Sequence, residues 1–481
     1  MSIAYHNAVA RMYALGHELQ HTPASKFNLA HMRAVLRGLE NPERRFPSVL
    51  IAGTNGKGST AATLASILVT SGLRTGLYTS PHLMRINERI RVDGSEIADD
   101  KFALLHHLVE RTAERLIEDG ELPWHPSFFE MLTAIAFEHF ASARLDIAVL
   151  EVGMGGRLDA TNVVEPRVSV ITDISLDHQK FLGNTVGEIA HEKAGIIRPG
   201  GVLVTLPQAP EANDVIGSVI LEKNARAVSA VDYVPSLAPG SGQAGRLSSP
   251  RPSSRSIEGK DGRNRGSGLT PSVPAIWTEL VSRYALEVMG KQILVENPLL
   301  GRHQLRNTAL AIAAAKELST QGFGITAEAI EQGIRRTRWP GRFQVLPPAG
   351  NRGELVLDVA HNPAGAWALR STLSTYYEDR RLVMVFGAMR DKAIGEISEI
   401  LFPLTDLVVL TQADNPRSAT AEEIRESASR THTEFELTRR VSAALERALS
   451  VAGREALVVV TGSIYVVGEA MQALGVSPDG E

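Results

Sequence analysis

Residues 48–60, with the sequence SVLIAGTNGKGST, decide the fold. Five residues typical of a buried strand come first, a glycine-rich turn follows, and the chain then continues with helical spacing. Gly53, Gly56 and Gly58 would let backbone N–H groups approach an anion, and the positive end of the following helix would add to the attraction. The stretch therefore predicts a phosphate-binding loop between a strand and a helix.

Polar residues of the same loop suit a nucleotide with Mg²⁺. Lys57 would reach the outer phosphates, and Ser59 or Thr60 would offer a hydroxyl to the metal. The spacing departs from the usual G-x-x-x-x-G-K-[ST], because the first gap is two residues and Gly58 separates the lysine from the hydroxyl. A plain glycine turn is the alternative, but the strand, the lysine and the helix together favour nucleotide binding.

Further apolar runs of strand length recur along the chain, each followed by a loop and a helix-like segment. They lack the alternation of a half-exposed strand, so we expect parallel sheets covered by helices on both faces. The runs are residues 48–52, 146–152, 168–172, 354–359, 382–386, 407–411 and 456–461. The expected fold is α/β, with an N-terminal P-loop-type ATPase domain around a mainly parallel sheet and a smaller Rossmann-like C-terminal domain.

Two segments interrupt this rhythm. Pro340 and Gly341 end a helical pattern, so we place the domains at 1–337 and 338–481. Residues 236–275 contain nine Ser, seven Gly and five Pro, with six basic residues against two acidic ones. That composition predicts a flexible surface insertion, and a basic nucleic-acid-binding or phosphorylated segment is the alternative.

Composition excludes several classes of function. The 481 residues include 50 Lys+Arg and 54 Asp+Glu, so the formal charge of −4 gives no bulk attraction to nucleic acid or anionic lipid. The chain has no cysteine, which excludes disulfides and thiol nucleophiles. No run has the 18 or more apolar residues of a membrane span, and the N-terminus does not resemble a signal peptide. We expect a cytoplasmic protein, with monomer as the default.

Nine strings in order resemble the folylpolyglutamate synthase/dihydrofolate synthase family of the Mur ligase superfamily, and the resemblance covers nearly the whole chain outside 236–275. They are GTNGKGS (53–59), TSPHLMRINERIR (79–91), EVGMGGRLDATN (151–162), DHQKFLG (177–183), EKAGII (192–197), GRHQLRN (301–307), WPGR (339–342), DVAHNP (358–363) and GSIY (462–465).

The resemblance implies a metal site at Ser80, Glu151 and His178. Glu151 ends an apolar strand, where a carboxylate oxygen suits Mg²⁺ beside a phosphate loop, and a solvated strand end is the alternative. Histidine is an unusual Mg²⁺ ligand, so a hydrogen-bonded structural role is the alternative for His178. Ser80 could equally cap a helix or turn ahead of Pro81.

The resemblance also implies that Lys193 is carbamylated, and an ordinary surface lysine on a helix is the alternative. A lysine beside divalent cations is pushed towards its neutral form, and a neutral amine adds CO₂ to give an oxygen ligand for Mg²⁺. We expect ATP, two Mg²⁺ sites and this carbamate as the cofactors.

The remaining candidate residues fall into three sets. The nucleotide-binding set comprises Asn55, Gly56, Lys57, Gly58, Ser59, Thr60, Asn307, Arg342 and Asp358. The acceptor set comprises His82, Phe128, Leu158, Asp159 and Ala160, with residues 27–29. His361 and Ser463 match positions near the incoming amino acid, and Lys57, Lys193 and His361 are the catalytic candidates.

The implied function is an ATP-dependent ligase that adds L-glutamate to dihydropteroate, to reduced folates, or to both. Its partners would be small molecules, with no nucleic acid and no membrane. A Mur-type ligase acting on a cell-wall precursor, a P-loop switch or motor ATPase, and a non-enzymatic nucleotide-binding regulator are the alternatives.

Overall fold

The computed structural model describes residues 3–16, 28–235, 280–431 and 433–477. The expected insertion at 236–275 and the candidate Phe27 lie outside these described residues.

The first sheet has eight strands in the order β4-β3-β2-β5-β1-β6-β7-β8. All of its neighbours pair in parallel except β2–β3 and β3–β4, which form an antiparallel edge. The strands are β1 (Ser48–Ala52), β2 (Thr75–Tyr78), β3 (Ile90–Val92), β4 (Ser95–Glu96), β5 (Ile147–Glu151), β6 (Val168–Ile171), β7 (Val202–Thr205) and β8 (Arg226–Ser229).

Helices cover this sheet on both faces, so its central strand β1 is buried along its whole length. Leu50 of β1 belongs to one buried cluster, whereas Val49 and Ile51 belong to the cluster on the opposite face. The helices are α1 (Ile3–Ala14), α2 (Leu29–Gly38), α3 (Lys57–Thr70), α4 (Asp99–Glu118), α5 (Phe128–Ala143), α6 (Gln179–Leu182), α7 (Val186–Ala194), α8 (Pro210–Glu222), α9 (Arg302–Thr320) and α10 (Ala327–Arg336).

An antiparallel hairpin precedes α9 and packs against α10. Its strands are β9 (Ser282–Val288) and β10 (Lys291–Asn297), joined at Met289 and Gly290. Both turn residues have positive φ angles, 56° and 75°, as a tight two-residue hairpin turn requires.

The second sheet has six strands in the order β11-β12-β16-β13-β14-β15, and only β11–β12 pair antiparallel. Its strands are β11 (Gln344–Leu346), β12 (Leu355–Leu357), β13 (Leu382–Phe386), β14 (Leu407–Leu410), β15 (Phe435–Leu437) and β16 (Leu457–Thr461). Its helices are α11 (Pro363–Tyr376), α12 (Ile394–Leu401), α13 (Ala421–Ser427), α14 (Val441–Ala452) and α15 (Ile464–Leu474).

The chain passes from the first sheet's layers to the second sheet between Arg336 and Gln344. The domain bounds at 337 and 338 stay a prediction, compatible with this position. The predicted α/β fold with two largely parallel sheets is confirmed. The predicted runs did not include the parallel strands β2, β7, β8 and β15, the antiparallel strands β3, β4 and β11, or the β9–β10 hairpin.

Both sheets present the carboxyl ends of their parallel strands to one cleft of about 810 Å³. Loops after β1, β5 and β6 face loops after β12, β13 and β16 across it. In the described ranges, no helix is long and apolar enough to cross a membrane.

Candidate active site in the cleft between the two sheets

The phosphate loop has the predicted strand–loop–helix form. Gly56 caps α3 with a φ of 89°, a left-handed conformation that favours glycine. Thr172, directly after β6, supports the loop by donating from Oγ1 to the carbonyl of Asn55 at 2.7 Å. The backbone N–H of Thr54 donates to the Asp173 carbonyl at 2.8 Å, so the loop is anchored to the end of β6.

Two lysines, the half-buried Lys57 and the buried Lys193, converge on this loop. Lys57 Nζ donates to the Gly53 carbonyl at 3.1 Å and to the Thr54 carbonyl at 3.2 Å, while Lys193 Nζ donates to the same Gly53 carbonyl at 2.8 Å. Burial lowers the pKa of Lys57, although Glu151 and Asp177 oppose that shift. Burial, reinforced by the charge of Lys57, lowers the pKa of Lys193 to about 7. A substantial fraction of Lys193 is therefore a neutral amine near neutral pH.

The predicted metal-binding residues line the same cleft. Glu151 ends β5, and its Oε2 accepts a hydrogen bond from the Ser80 N–H at 3.2 Å. Burial raises the pKa of Glu151, partly offset by Lys57. His178 caps α6 with a φ of 49°, and burial, with the charge of Lys392, lowers its pKa to about 4. His178 is therefore a neutral imidazole able to act as a ligand.

We tested whether these groups fit Mg²⁺. Within the described part of the chain, no group of three or more His, Cys, Asp and Glu side chains is arranged to hold a metal. The donor set of Ser80 and Glu151 is nevertheless the carboxylate and hydroxyl chemistry that Mg²⁺ takes, with other ligands supplied by phosphate and water. The residues fit a metal that binds together with a nucleotide.

Asp177 joins the two domains inside the cleft. It accepts hydrogen bonds from Lys392 Nζ at 2.7 Å and from Asn362 Nδ2 at 3.1 Å. Asn362 Nδ2 also donates to Asn55 Oδ1 at 3.0 Å. His361 Nε2 lies 3.9 Å from Asp177 Oδ2. Burial works against ionisation of Asp177. At the low pH where Asp177 titrates, His178 and His361 are protonated, and their charges together with that of Lys392 outweigh burial and hold the pKa of Asp177 well below its usual range.

Arg342 follows the Pro340–Gly341 turn, and Asp358 follows β12. Asp358 accepts hydrogen bonds from the N–H groups of Phe343 at 2.8 Å and Ala360 at 2.9 Å, and burial raises its pKa. Burial lowers the pKa of Arg342, against the charges of Asp358 and Glu151. The pair places a guanidinium and a carboxylate opposite the phosphate loop.

Asn307, in the second turn of α9, lies directly against the loop. A Cβ on Gly56 would collide with Asn307 Oδ1, so only glycine allows this approach. Asn307 Nδ2 donates to Gln304 Oε1 at 2.9 Å, which orients the amide.

The acceptor candidates Leu158, Asp159 and Ala160 line the cleft, as does Ser463. Asp159 Oδ1 accepts from the Thr161 N–H and Oδ2 from the Met154 N–H, each at 3.0 Å. Its carboxylate therefore shapes the glycine-rich loop after β5. Ser463 caps α15 by accepting from the Tyr465 N–H at 3.2 Å.

Three candidates do not line the cleft, and for these the placement differs from the prediction. Phe128 stacks on Tyr13 with ring centroids 5.8 Å apart, and its neighbour Phe129 faces the cleft instead. His82 Nδ1 accepts from Arg89 Nε at 2.8 Å. Thr60 is fully buried in α3, so Ser59 is the loop hydroxyl that faces the cleft.

Sequence reasoning missed several residues that meet in the cleft. Asp177 lies in the string DHQKFLG and Asn362 lies in the string DVAHNP, both of which carry the family resemblance. Lys392 lies in the loop that follows the carboxyl end of β13. Because Lys392 follows a parallel strand, its position could have marked it as a candidate site residue. Trp124 lies in a loop before α5, where no periodicity marks it.

Two α/β domains that share a phosphate-binding cleft define a nucleotide-binding protein of the Mur ligase type. The family model for the Mur ligase glutamate ligase domain matches residues 341–464. Among solved structures, Mycobacterium tuberculosis folylpolyglutamate synthase complexed with ADP and AMPPCP has a TM-score of 0.78 and 30% identity, covering 98% of this chain and 100% of that one. E. coli FolC in complex with DHPP and ADP has a TM-score of 0.76 and 29% identity, covering 97% of both chains.

Curated relatives agree with the structures. The dihydrofolate synthase/folylpolyglutamate synthase of Bacillus subtilis is 31% identical over 93% of this chain and 95% of its own length. A probable bifunctional folylpolyglutamate synthase/dihydropteroate synthase of Haloferax volcanii is 36% identical over 97% of this chain, which spans only 50% of that protein. The chain belongs to the folylpolyglutamate synthase/dihydrofolate synthase family.

Proposed function

We propose that this protein is an ATP-dependent amide ligase that adds L-glutamate to dihydropteroate, to folylmono- and folylpolyglutamates, or to both. One observation carries the proposal. A phosphate loop, with Lys57 and Lys193 against it, faces the loops of the second domain that carry Lys392, His361 and Ser463, and apolar side chains line the same cleft. A nucleotide, an acceptor acid and an amino acid would thus meet in one cleft.

The reaction has two steps. A carboxylate oxygen of the acceptor attacks the γ-phosphorus of ATP, the bond from that phosphorus to the bridging oxygen breaks, and ADP leaves. The amine of L-glutamate then attacks the carbonyl carbon of the acyl phosphate and forms a tetrahedral intermediate. The bond from that carbon to the phosphate oxygen breaks, and phosphate leaves with the proton that the amine gives up. Lys57 would leave its carbonyl partners to neutralise charge on the transferring phosphoryl group, and Arg342 would contact the phosphates from the second domain.

Mg²⁺ would be held by Ser80, Glu151 and His178, and it supplies charge neutralisation for phosphoryl transfer when bound. Lys193, whose pKa burial lowers to about 7, is poised to be carbamylated and to add an oxygen ligand.

The nucleotide would be held by residues of both domains. The phosphates would be surrounded by Asn55, Gly56, Gly58 and Ser59, and the rest of the nucleotide would be contacted by Asn307 and Asp358. His361 and Ser463 would lie beside the incoming amino acid.

Closure of the cleft would protect the acyl phosphate from water. Asp177 supports this role, because it holds Lys392 and Asn362 of the opposite domain. We propose a monomer in the cytoplasm that acts on small molecules, without nucleic-acid or membrane partners.

The test is ADP release with Mg²⁺-ATP, L-glutamate and either dihydropteroate or a monoglutamyl reduced folate, omitting each component in turn. Turnover with both acceptors would establish a bifunctional ligase, and turnover with one would assign that step. ATP binding without turnover on either acceptor would reject the proposal and favour a cell-wall acceptor. That alternative is less supported, since the named relatives are folate enzymes.

A further inference from the structure

The lining of the cleft includes a tryptophan and several apolar side chains. Trp124 lies in the loop before α5, is 37% exposed and lines the cleft. Leu29, Phe129, Leu158 and Phe181 also line it. A large aromatic side chain that stays accessible inside an apolar pocket favours contact with a planar ligand.

A second ring fixes the plane of Trp124. The His31 imidazole stacks on it with centroids 5.4 Å apart and an interplanar angle of 15°. His31 Nε2 bonds to the Trp124 carbonyl at 3.0 Å, and His31 Nδ1 bonds to Glu130 Oε1 at 2.9 Å. The imidazole therefore has its ring nitrogens engaged and little freedom to turn.

Glu130 ties this arrangement to the start of α5. Its Oε2 accepts from the Ser127 N–H at 2.9 Å and from Ser127 Oγ at 2.8 Å, while Oε1 holds His31. One carboxylate thus anchors both the backing ring and the loop that follows Trp124. Such a built support is typical of a side chain that must present a rigid face to a ligand.

We infer that Trp124 is the stacking platform for the planar ring system of the acceptor, and that His31 and Glu130 are positioning residues that hold its plane. This rests on the proposed function, because the ligand class is the pteroyl acceptor. The other tryptophans that the structure describes are not placed to stack on the acceptor. Trp339 packs over Gly58 at the phosphate loop, and Trp367 lies on α11 outside the cleft lining.

The experiment measures binding without turnover. Dihydropteroate is titrated into the full chain with Mg²⁺-ADP present, and calorimetry gives its Kd, while a separate titration gives the Kd for ADP. Trp124→Leu should raise the Kd for dihydropteroate about tenfold, as loss of one stacked ring does, and leave the Kd for ADP unchanged. Trp124→Phe should keep most of the affinity. Trp367→Leu is the matched control and should bind like the wild type.

His31→Phe separates positioning from packing, because it keeps a stacked ring and loses both hydrogen bonds. We expect weaker dihydropteroate binding together with a shifted Trp124 emission, which a purely structural role would not move. If Trp124→Leu binds dihydropteroate within twofold of the wild type, the inference is rejected and the proposed function stands. If the wild type binds ADP but neither dihydropteroate nor a monoglutamyl reduced folate, the proposed function itself is rejected.

Discussion

Lys392 Nζ, from the domain of the second sheet, reaches across the cleft to Asp177 Oδ1 of the first domain at 2.7 Å. The side chain of Lys392 is 8% exposed and that of Asp177 is 10% exposed, so water screens the ion pair little. Asn362, also in the second domain, donates hydrogen bonds to Asp177 and to Asn55 of the first domain. The closed cleft is therefore held by polar contacts whose partners stand on opposite domains.

Replacing Lys392 by Met should lower kcat/KM for L-glutamate by about 30-fold or more, because it strands a buried carboxylate and loosens closure. Steady-state kinetics would measure this. Arg380→Met is the control, since Arg380 Nη1 bonds to Glu354 Oε2 at 2.6 Å within the second domain. Equal losses in the two variants would show that the Lys392–Asp177 pair has no special part in closure.

Gly468→Ala should also hinder closure. Gly468 lies on α15, and a Cβ there would collide with the carbonyl oxygen of Leu83 from the other domain. We expect kcat to fall by roughly tenfold or more and the radius of gyration in the nucleotide complex, measured by small-angle scattering, to increase. Gly217→Ala, on α8 with open space at the Cβ, should change neither quantity.

Lys193→Ala should abolish most of the ligase activity, and formate or acetate should restore part of it. A short carboxylate would replace the carbamate oxygens that we propose for Lys193. The contrast is Lys57→Ala, which should lose activity without rescue, because a cation is missing there. Full activity of Lys193→Ala without additive would contradict the carbamate.

His139, on α5 away from the cleft, should make the fold sensitive to acid. Burial, with the charge of Lys101, lowers its pKa from the ordinary 6.5 to about 4. Between these values the unfolded chain binds more protons than the folded one, so stability is lost as pH falls through that window. Urea unfolding of His139→Leu should show a smaller loss between pH 7.5 and pH 4.5 than the wild type. His107→Leu, at an exposed site on α4, should keep the wild-type slope.

Much of the fold could be predicted because buried parallel strands are apolar throughout. β1 and β13 have the bounds that their apolar runs predicted. β5 starts one residue later and ends one residue earlier than its run at 146–152. The short edge strands β3 and β4 pair only locally and carry mixed polarity, so no pattern marked them.

The candidate site was predicted best where backbone geometry dictates residue type. Gly56 and Lys57 belong to a loop that the preceding strand, the lysine and the following helix together mark as a phosphate loop. Asp177 and Lys392 come from distant parts of the chain, and only the folded structure brings them together. Phe128 and Phe129 are adjacent aromatic residues at the start of α5. The sequence alone does not show which of the two faces the cleft.

The carboxyl ends of both sheets open onto the same cleft, and each domain contributes complete loops to it. Under the proposed reaction, the first domain supplies the phosphate loop that activates the acid, and the loops of the second domain receive the amine. Arg342 and Asp358 of the second domain nevertheless face the nucleotide, so acid activation needs both domains. Substitutions at His361 or Ser463 could therefore alter which amino acid is accepted, whereas substitutions at Arg342 or Asp358 would also affect ATP.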